Sequence, residues 1–343
     1  MERKSPLPKA IKQGLAGLCL VASVGCTTNE PLSPGGRPLS VVAVSETVRP
    51  ASPEGLSGVT HLADNRFLSI EDRGGRLWTL DVTFSPSNEV IGCAVTSPVV
   101  LEGVVDGEGC AWDPLRQTIW VGDETGPAVS EHDPKTGRRL DTLALTEEFH
   151  RIRPNRGPEG LTISPDGLTL WTCPEEAVEG DGPLASATNG TLVRLHRYVR
   201  SSGKKAWRPA EEIPYRVDPI GGRDFAGKSL SGVSGLCALA DGTLLVLERE
   251  MSIRKGDLLL PSFRCRIYEV DFAGATDTSG LLSLTDPSVH PVKKTRRFGA
   301  RTGFAMYEGS CLGPELADGS RSVLLVADGD DGAANRILAL KLR

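Results

Sequence analysis

The stretch Glu159-Gly160-LTISPDGLTLWTCP-Glu175-Glu176 decides the fold. Its centre, Pro165-Asp166-Gly167, has turn chemistry, because Asp-Gly readily adopts the positive φ angles of a tight hairpin. The runs on either side are short and rich in aliphatic and β-branched residues, which is typical of strands. The stretch is therefore predicted to be a β-hairpin with carboxylates at both ends.

Five copies of this unit occur along the chain. Each begins with Ser or Glu before Gly, runs through an apolar strand and a turn, and returns as a second strand that ends in charged residues. The copies start at Ser57, Glu108, Glu159, Ser234 and Glu308, so their starts are 51, 51, 75 and 74 residues apart. A strand-rich repeat of about 40–50 residues is typical of a β-propeller.

The predicted fold class is all-β: a single β-propeller over residues 40–343, with six blades preferred and five to seven allowed. One of the two wider gaps, 177–233 or 251–307, is the place for a sixth blade. Apolar strands at Ser40–Val48 and Ile337–Leu342 are expected to pair into one blade and close the ring.

Hairpin geometry gathers charged residues on one rim, because the two ends of a hairpin meet. Folding about the turns places Glu108 near Asp123, Glu159 near Glu175, and Glu308 near Asp328. Like charges crowded at a channel mouth raise one another's pKa or require a cation. The alternative interpretation is that acids cap strand ends because such ends are solvated.

The N-terminus is predicted to be an export signal. Basic residues precede the short apolar run Gly14–Gly25, which is too short to span a bilayer as a stable helix. The run ends in small residues before Cys26, an order that resembles a bacterial lipobox. We expect a signal peptide over 1–25, a lipid-anchored tether over 26–39 starting at Cys26, and attachment to a membrane, with the outer membrane or periplasmic face preferred. An ordinary signal peptide or an uncleaved anchor is the alternative.

Composition restricts the partners. The formal net charge is only −5, which argues against a nucleic-acid partner. The six cysteines after Cys26 form no CxxC pair, and three of them recur at equivalent repeat positions, as expected for small core residues. Oligomeric state and disulfide pairing stay open.

Familiar catalytic motifs are missing or misplaced. The sequence has no GxSxG and no HExxH. Gly222 to Ser229 fits the P-loop pattern letter for letter, but a P-loop must open a helix. The following residues, LSGVSGL, are poor helix formers and predict a strand, so a Gly-rich rim loop is the preferred interpretation.

Three strings resemble the phytase-like family, described as carrying the esterase-like activity of phytase. They are Asn155–Leu161 followed by SPDG, the LLVLERE run ending at Glu248-Arg249-Glu250, and Tyr307-Glu308-Gly309 followed by Gly313-Pro314 and LLVAD. The resemblance implies a propeller with hydrolytic, phosphoester-directed chemistry. Its matching positions are Glu159, Glu248, Arg249, Glu308 and Asp328.

The functional hypothesis is a divalent cation, preferably calcium, at the channel mouth, where it would serve binding or hydrolysis of a small anionic ester. Hard carboxylate oxygens suit calcium. Glu248 is the candidate general base, and Arg249 the candidate group to hold developing negative charge; Glu159 is counted both as a ligand and as a catalytic residue. The expected metal ligands are Glu108, Glu159 and Glu308, with Asp123 and Asp328 in support. The alternative is a non-catalytic binding or scaffold propeller that uses polar rim loops such as 177–190 and 219–233.

Overall fold

Strands dominate the computed structural model, which describes residues 28–29, 40–45, 55–221, 229–253, 261–302, 305–328 and 335–342. The described residues include a short 3-10 helix, Glu147–Arg151. Among them, no helix has the length and apolar character needed to cross a membrane. The predicted export signal, Cys26 and the Gly-rich loop 222–228 lie outside the described residues.

All strand pairs in the described sheets are antiparallel. In chain order the strands are β1 (Thr28–Asn29), β2 (Ser40–Ser45), β3 (Leu56–Ala63), β4 (Arg66–Glu71), β5 (Arg76–Phe84), β6 (Val90–Val95), β7 (Val99–Val100), β8 (Gly107–Asp113), β9 (Thr118–Asp123), β10 (Ala128–His132), β11 (Arg139–Thr142), β12 (Pro158–Ile163), β13 (Thr169–Pro174), β14 (Leu192–Val199), β15 (Arg208–Arg216), β16 (Leu230–Ala238), β17 (Leu244–Ile253), β18 (Pro261–Asp271), β19 (Lys293–Arg301), β20 (Met306–Glu315), β21 (Arg321–Asp328) and β22 (Arg336–Leu342).

These strands form five sheets, which are the blades of a propeller. Blade 1 is β3-β4-β5-β6 with β7 on β5, blade 2 is β8 to β11, and blade 3 is β12 to β15. Blade 4 is β16 to β19 with β1 at its edge, and blade 5 is β20 to β22 with β2. The first strand of each blade contacts the first strands of its two neighbours, so the ring is closed.

The structure confirms the propeller and its closure, and it has five blades in the described residues rather than the preferred six. The N-terminal strand β2 pairs with the C-terminal strand β22, as predicted. The described residues of the wider gaps form no further blade. They contribute the outer strands of blades 3 and 4 and connections between those strands.

The predicted hairpin turns have the expected backbone. Asp64 has a φ of 51°, Gly167 of 72°, Gly242 of 87° and Gly319 of 78°. Leu230–Ala238, which follows the P-loop-like string, is a strand and not a helix, so the rejection of a P-loop is confirmed.

The core consists of apolar layers between neighbouring blades. Leu245 and Phe298 of blade 4, for example, pack with Tyr307 and Leu338 of blade 5, and corresponding clusters join every other neighbouring pair. The recurring cysteines Cys110, Cys237 and Cys311 are buried thiols in these layers. This confirms their interpretation as core residues.

Each inner strand carries a β-bulge at its Ser or Glu. In β12, Pro158 pairs with Pro174 and Gly160 with Cys173, so Glu159 is the extra residue. A bulge turns a side chain away from the regular pleat, and here it points the residue toward the propeller axis. Register shifts span the equivalent positions in the other four inner strands, at Ser57, Glu108, Ser234 and Glu308.

The glycine after each bulged residue allows close approach between blades. A Cβ on Gly109 would lie 2.4 Å from the main-chain oxygen of Glu159 in the next blade. On Gly58 it would lie 2.3 Å from that of Glu108, and on Gly309 it would lie 2.3 Å from that of Ser57. A side chain at these positions would push neighbouring inner strands apart.

Gly109→Ala is therefore expected to lower the free energy of unfolding by about 1–3 kcal/mol, the usual cost of overpacking. Gly92→Ala is the matched control, because its Cβ would only make ordinary contacts of 3.8 Å or more with Thr83 in an outer strand. Urea unfolding of both variants measures the difference. Equal stability of the two variants would contradict the close-approach argument.

Candidate functional site

The three inner-strand glutamates lie together at one end of the channel. Arg249 donates from Nη1 to Glu308 Oε1 and from Nη2 to Glu159 Oε1, the latter at 3.2 Å. Glu108 is close enough to Glu159 to raise its pKa. All three are buried: Glu108 and Glu159 are each 2% exposed, and Glu308 is 6% exposed. The predicted clustering of Glu108, Glu159 and Glu308 is thus present.

We call this cluster the acidic mouth. Its members are buried or half-buried charged groups contributed by four of the five blades and by the loops that join their strands. They are Asp106, Glu108, Glu124, Glu159, Glu175, Glu176 and Glu308, with the guanidinium groups of Arg156 and Arg249.

Arg249 organises one side of the acidic mouth. Besides Glu159 and Glu308, it contacts Glu175 Oε1 from Nε at 3.0 Å and from Nη2 at 2.7 Å. Burial opposes its charge, but the carboxylates of Glu175, Glu159 and Glu108 outweigh burial and raise its pKa. The guanidinium therefore stays charged and is held by three carboxylates.

The opposite side of the mouth gathers three carboxylates. Oxygen atoms of Asp106, Glu108 and Glu124 lie within 4.8 Å of one another. Ser57 Oγ donates to Glu108 Oε2 at 2.7 Å, and the Gly157 N–H donates to Glu124 Oε1 at 2.9 Å. Two carboxylates at this separation repel by about 3 kcal/mol at an effective dielectric constant of about 20.

Glu159 lies between the two sides. Its Oε1 accepts from Arg249, whereas its buried Oε2 has no hydrogen-bond partner among the described residues. Burial and the charge of Glu108 raise the pKa of Glu159 well above its usual value, although Arg249 opposes the shift. An unsatisfied buried carboxylate oxygen is costly, so this atom is suited to a proton or a cation.

A second arginine stabilises the outer part of the mouth. Arg156 Nε donates to Glu176 Oε2 at 2.5 Å, and Nη1 lies 3.3 Å from Glu175 Oε2. Burial and the charge of Glu175 nevertheless raise the pKa of Glu176 to about 7. Among the described residues, the mouth gathers seven carboxylates around two guanidinium groups, so neighbouring carboxylates repel one another and favour additional positive charge.

Glu248 does not belong to this cluster. Its carboxylate accepts from Tyr215 Oη and Lys294 Nζ at 2.6 Å each, and from the Asp218 N–H at 3.2 Å. Side chains alternate along β17, so Glu248 points toward blade 3 while its neighbour Arg249 points into the mouth. A carboxylate saturated in this way does not fit the expected role of general base, and we do not retain that assignment.

The two expected supporting ligands, Asp123 and Asp328, lie at the ends of β9 and β21. Asp123 accepts main-chain hydrogen bonds from Val105 at 2.8 Å and Thr125 at 2.8 Å, so it shapes the loop instead of facing the carboxylate group. The main chain of Asp328 pairs with Met306 at the end of β21, and its side chain lies outside the described residues.

Asp106 and Glu124 were not predicted from the sequence. Pairing the ends of the strands points to Glu108 and Asp123, and these two acids lie one or two residues away from them. Glu124 directly follows Asp123 in the repeat that starts at Glu108, and Asp106 lies two residues before Glu108. The signal was present, since both are acids beside a strand end, but only the loop geometry decides which of two adjacent acids faces inward.

The fold and the site together define a class of protein, a five-bladed propeller whose inner strands present carboxylates at one mouth. The family described as "Phytase-like: Esterase-like activity of phytase" matches residues 53–331, so the chain belongs to the phytase-like family. The resemblance noted from the three sequence strings is therefore confirmed.

Other similarities are more limited. The S-adenosylmethionine decarboxylase proenzyme of Clostridium botulinum is 32% identical over 77 residues, which cover 22% of this chain and 60% of that protein. The chain thus spans less than two thirds of the length of the curated relatives it matches.

Two solved structures illustrate the structural similarities. The PQQ-bound aldose sugar dehydrogenase from Streptomyces coelicolor has a TM-score of 0.47 at 12% identity and covers 90% of this chain and 99% of its own. The phosphate complex of a mannose phosphorylase from Leishmania mexicana has a TM-score of 0.42 at 10% identity, covering 89% of each chain. With TM-scores below 0.5, neither similarity carries an argument about this protein.

The raised pKa of Glu176 makes stability depend on pH. Folding raises this pKa from an ordinary 4.5 to about 7, so the folded state retains a proton that the unfolded state loses. The contribution to stability is therefore present below pH 4.5 and is lost as the pH rises through 7. Glu176→Gln should lose less stability between pH 5 and 8 than the wild type, by up to on the order of 3 kcal/mol.

Urea unfolding at both pH values in the presence of a chelator measures this effect. Glu179→Gln is the control, because Glu179 is exposed and only three residues from Glu176 in the sequence. A Glu176→Gln variant with the pH dependence of the wild type would show that this carboxyl does not titrate in the predicted window.

Proposed function

We propose that the acidic mouth binds a divalent cation, calcium, and uses it to receive a small anionic ester, preferably a phosphoester, for hydrolysis. The observation that carries the proposal is the group formed by Asp106, Glu108 and Glu124, whose oxygens lie within 4.8 Å of one another. The group is placed beside Glu159, whose Oε2 is buried without a partner among the described residues.

The donor set favours calcium over softer metals. All the candidate ligands are carboxylate oxygens, which suit a hard cation with several flexible ligands. The recurring cysteine thiols lie in the apolar layers, where burial raises the pKa of Cys110 and Cys237 to about 12. Thiols held in the neutral form are poor metal ligands.

This ligand set revises the one expected from the sequence. Glu108 and Glu159 are kept, Asp106 and Glu124 are added, and Glu308 is assigned to Arg249. A cation here would offset the repulsion among the carboxylates and attract the negative oxygen of an ester.

For hydrolysis, the proposed roles fall on Glu159 and Arg249. Glu159 Oε2 has the environment of a general acid–base group, because it is buried, unpartnered among the described residues and has a raised pKa. Arg249 fixes the other oxygen of Glu159 and thereby orients the carboxyl group. It is the positive group nearest to charge that develops at Glu159.

One observation favours a second function, cation-dependent binding without catalysis. Arg249 is already engaged by Glu159, Glu175 and Glu308, so contact with substrate would require it to exchange a carboxylate partner. A propeller that binds an anionic partner through a bound cation needs no such exchange. Fold alone does not distinguish the two functions.

We further propose that the protein is exported and anchored to a membrane through lipid on Cys26, a residue outside the described part of the chain. The order of basic, apolar and small residues before the cysteine supports this. Thr27 and Thr28 favour the outer membrane, since neither is an acid that would retain a lipoprotein at the inner membrane.

Calcium is expected to raise the melting temperature of the purified protein, because a ligand that binds only the folded state stabilises it by about 2.7 kcal/mol at a hundredfold excess over Kd. Glu108→Gln and Glu159→Gln should each reduce or abolish the shift, and the exposed control Glu179→Gln should keep it. Calorimetry or thermal unfolding with and without calcium checks this.

The same proteins are assayed with p-nitrophenyl phosphate and p-nitrophenyl acetate. Calcium-dependent turnover that is lost in Glu159→Gln supports hydrolysis, whereas calcium binding with no turnover favours the binding function. An unchanged melting temperature in the wild type, or a full shift in both glutamine variants, refutes the cation site.

Lipidation is tested by labelling cells with a fatty-acid analogue. Label is expected on the wild type and on the matched control Cys19→Ser, whose changed cysteine lies inside the apolar run. It should be absent from Cys26→Ser. Equal labelling of the two variants would rule out Cys26 as the lipid-bearing residue.

A further inference from the structure

A second cavity lies on the outer part of blade 3, away from the acidic mouth. Its volume is about 260 Å³, and it is an open cavity lined by β14, β15, the 3-10 helix and the loop at Ser279-Gly280. It shares no lining residue with the acidic mouth. The volume is slightly below the usual range for small-molecule sites, which begins at about 300 Å³, and it therefore suits a ligand of few atoms.

Glu148 places an unpaired carboxylate in this cavity. The residue lies in the 3-10 helix and is only 8% exposed, yet it lines the cavity wall. Its carboxylate has no hydrogen bond or ion pair with any described residue. The carboxylate therefore borders the open space of the cavity, where it would attract a positive group.

Glu147 also lines the cavity and is exposed, whereas Glu211 and Glu212 are already engaged. Glu212 accepts from Arg194 Nη1 at 3.0 Å and lies 3.5 Å from His196 Nδ1. Burial opposes its ionisation, but His196 and further hydrogen bonds lower its pKa to about 2. Glu211 is paired with Arg197 at 2.7 Å. Glu212 is thus a fixed negative charge, and neither arginine is available to Glu148.

The remaining lining distinguishes an organic cation from a metal ion. Tyr198 and Pro209 contribute apolar surface. Among the described residues, the acids that could hold a metal together are those of the mouth, and Glu148 and Glu212 are not among them. Ammonium and guanidinium groups commonly bind where carboxylates and an aromatic ring lie close together.

We propose that this cavity binds a small organic cation, an alkylammonium or guanidinium compound, with Glu148 as its counter-ion. The positive group contacts Glu148 and is attracted by the charge of Glu212, while the alkyl part lies against Tyr198 and Pro209. The site is independent of the cation proposed for the acidic mouth.

Isothermal titration of the purified protein with putrescine and agmatine tests the proposal, and 1,4-butanediol serves as the neutral analogue of putrescine. At least one of the two cations is expected to bind, and their relative affinities distinguish ammonium from guanidinium recognition. The diol should not bind. Glu148→Gln should weaken binding at least tenfold, while Glu179→Gln and the mouth variant Glu159→Gln should bind as the wild type does.

Three results would overturn the proposal. They are the absence of binding by both cations at millimolar concentration, equal binding of the neutral diol, or wild-type affinity in Glu148→Gln. Loss of binding in Glu159→Gln would place the ligand in the acidic mouth and also refute a separate site. A failure here leaves the calcium experiment unaffected, because that experiment uses a different ligand and different variants.

Discussion

The close approach of neighbouring inner strands is the constraint on which the rest of the structure depends. At Gly58, Gly109 and Gly309 a main-chain oxygen of the neighbouring blade occupies the space that a Cβ would need. The five-bladed ring can close because each inner strand lacks a side chain at this contact. The residue before each glycine occupies a bulge, so the geometry that closes the ring also brings five polar side chains to one mouth.

This arrangement carries an electrostatic cost. Burying several carboxylates within a few ångströms is unfavourable unless positive charge is supplied. Arg249 supplies it on one side by contacting Glu159, Glu175 and Glu308, and Arg156 supplies it at the outer part. Asp106, Glu108 and Glu124 gather on the other side, where their oxygens lie within 4.8 Å of one another. The proposed cation site rests on this grouping of three carboxylates.

Much of this was predictable from the repeat. The all-β propeller, the turns at Asp166-Gly167 and Asp241-Gly242, the pairing of the chain ends and the clustering of the inner glutamates follow from hairpin geometry. The number of blades was harder to predict from the sequence. The wide spacings between repeats come from long outer strands and connections in blades 3 and 4 and not from an additional repeat. A period alone does not distinguish a degenerate blade from an enlarged one.

The structure separates neighbouring candidate residues where one residue of register matters. Glu248 and Arg249 are neighbours on a strand, so one faces the mouth and the other faces blade 3, and the bulge at Ser234 shifts the register that decides which. Asp123 and Glu124 present the same ambiguity at the end of β9, where the chain leaves the sheet. Hairpin pairing locates such pairs but does not choose between their members.

The order of residues around the ring explains where the excess charge lies. The bulged positions read Ser57, Glu108, Glu159, Ser234 and Glu308, so Glu108 and Glu159 are neighbours, whereas Glu308 has a serine on each side. Ser57 Oγ donates to Glu108 and Ser234 Oγ donates to a main-chain oxygen, so neither serine adds charge. Repulsion is therefore greatest between blades 2 and 3, and this is where Glu124 and Asp106 add two more carboxylates. Ordinary strand-end solvation would not concentrate acids at the most repulsive place in the ring, and this concentration favours a site that holds a cation over acids that merely cap strands.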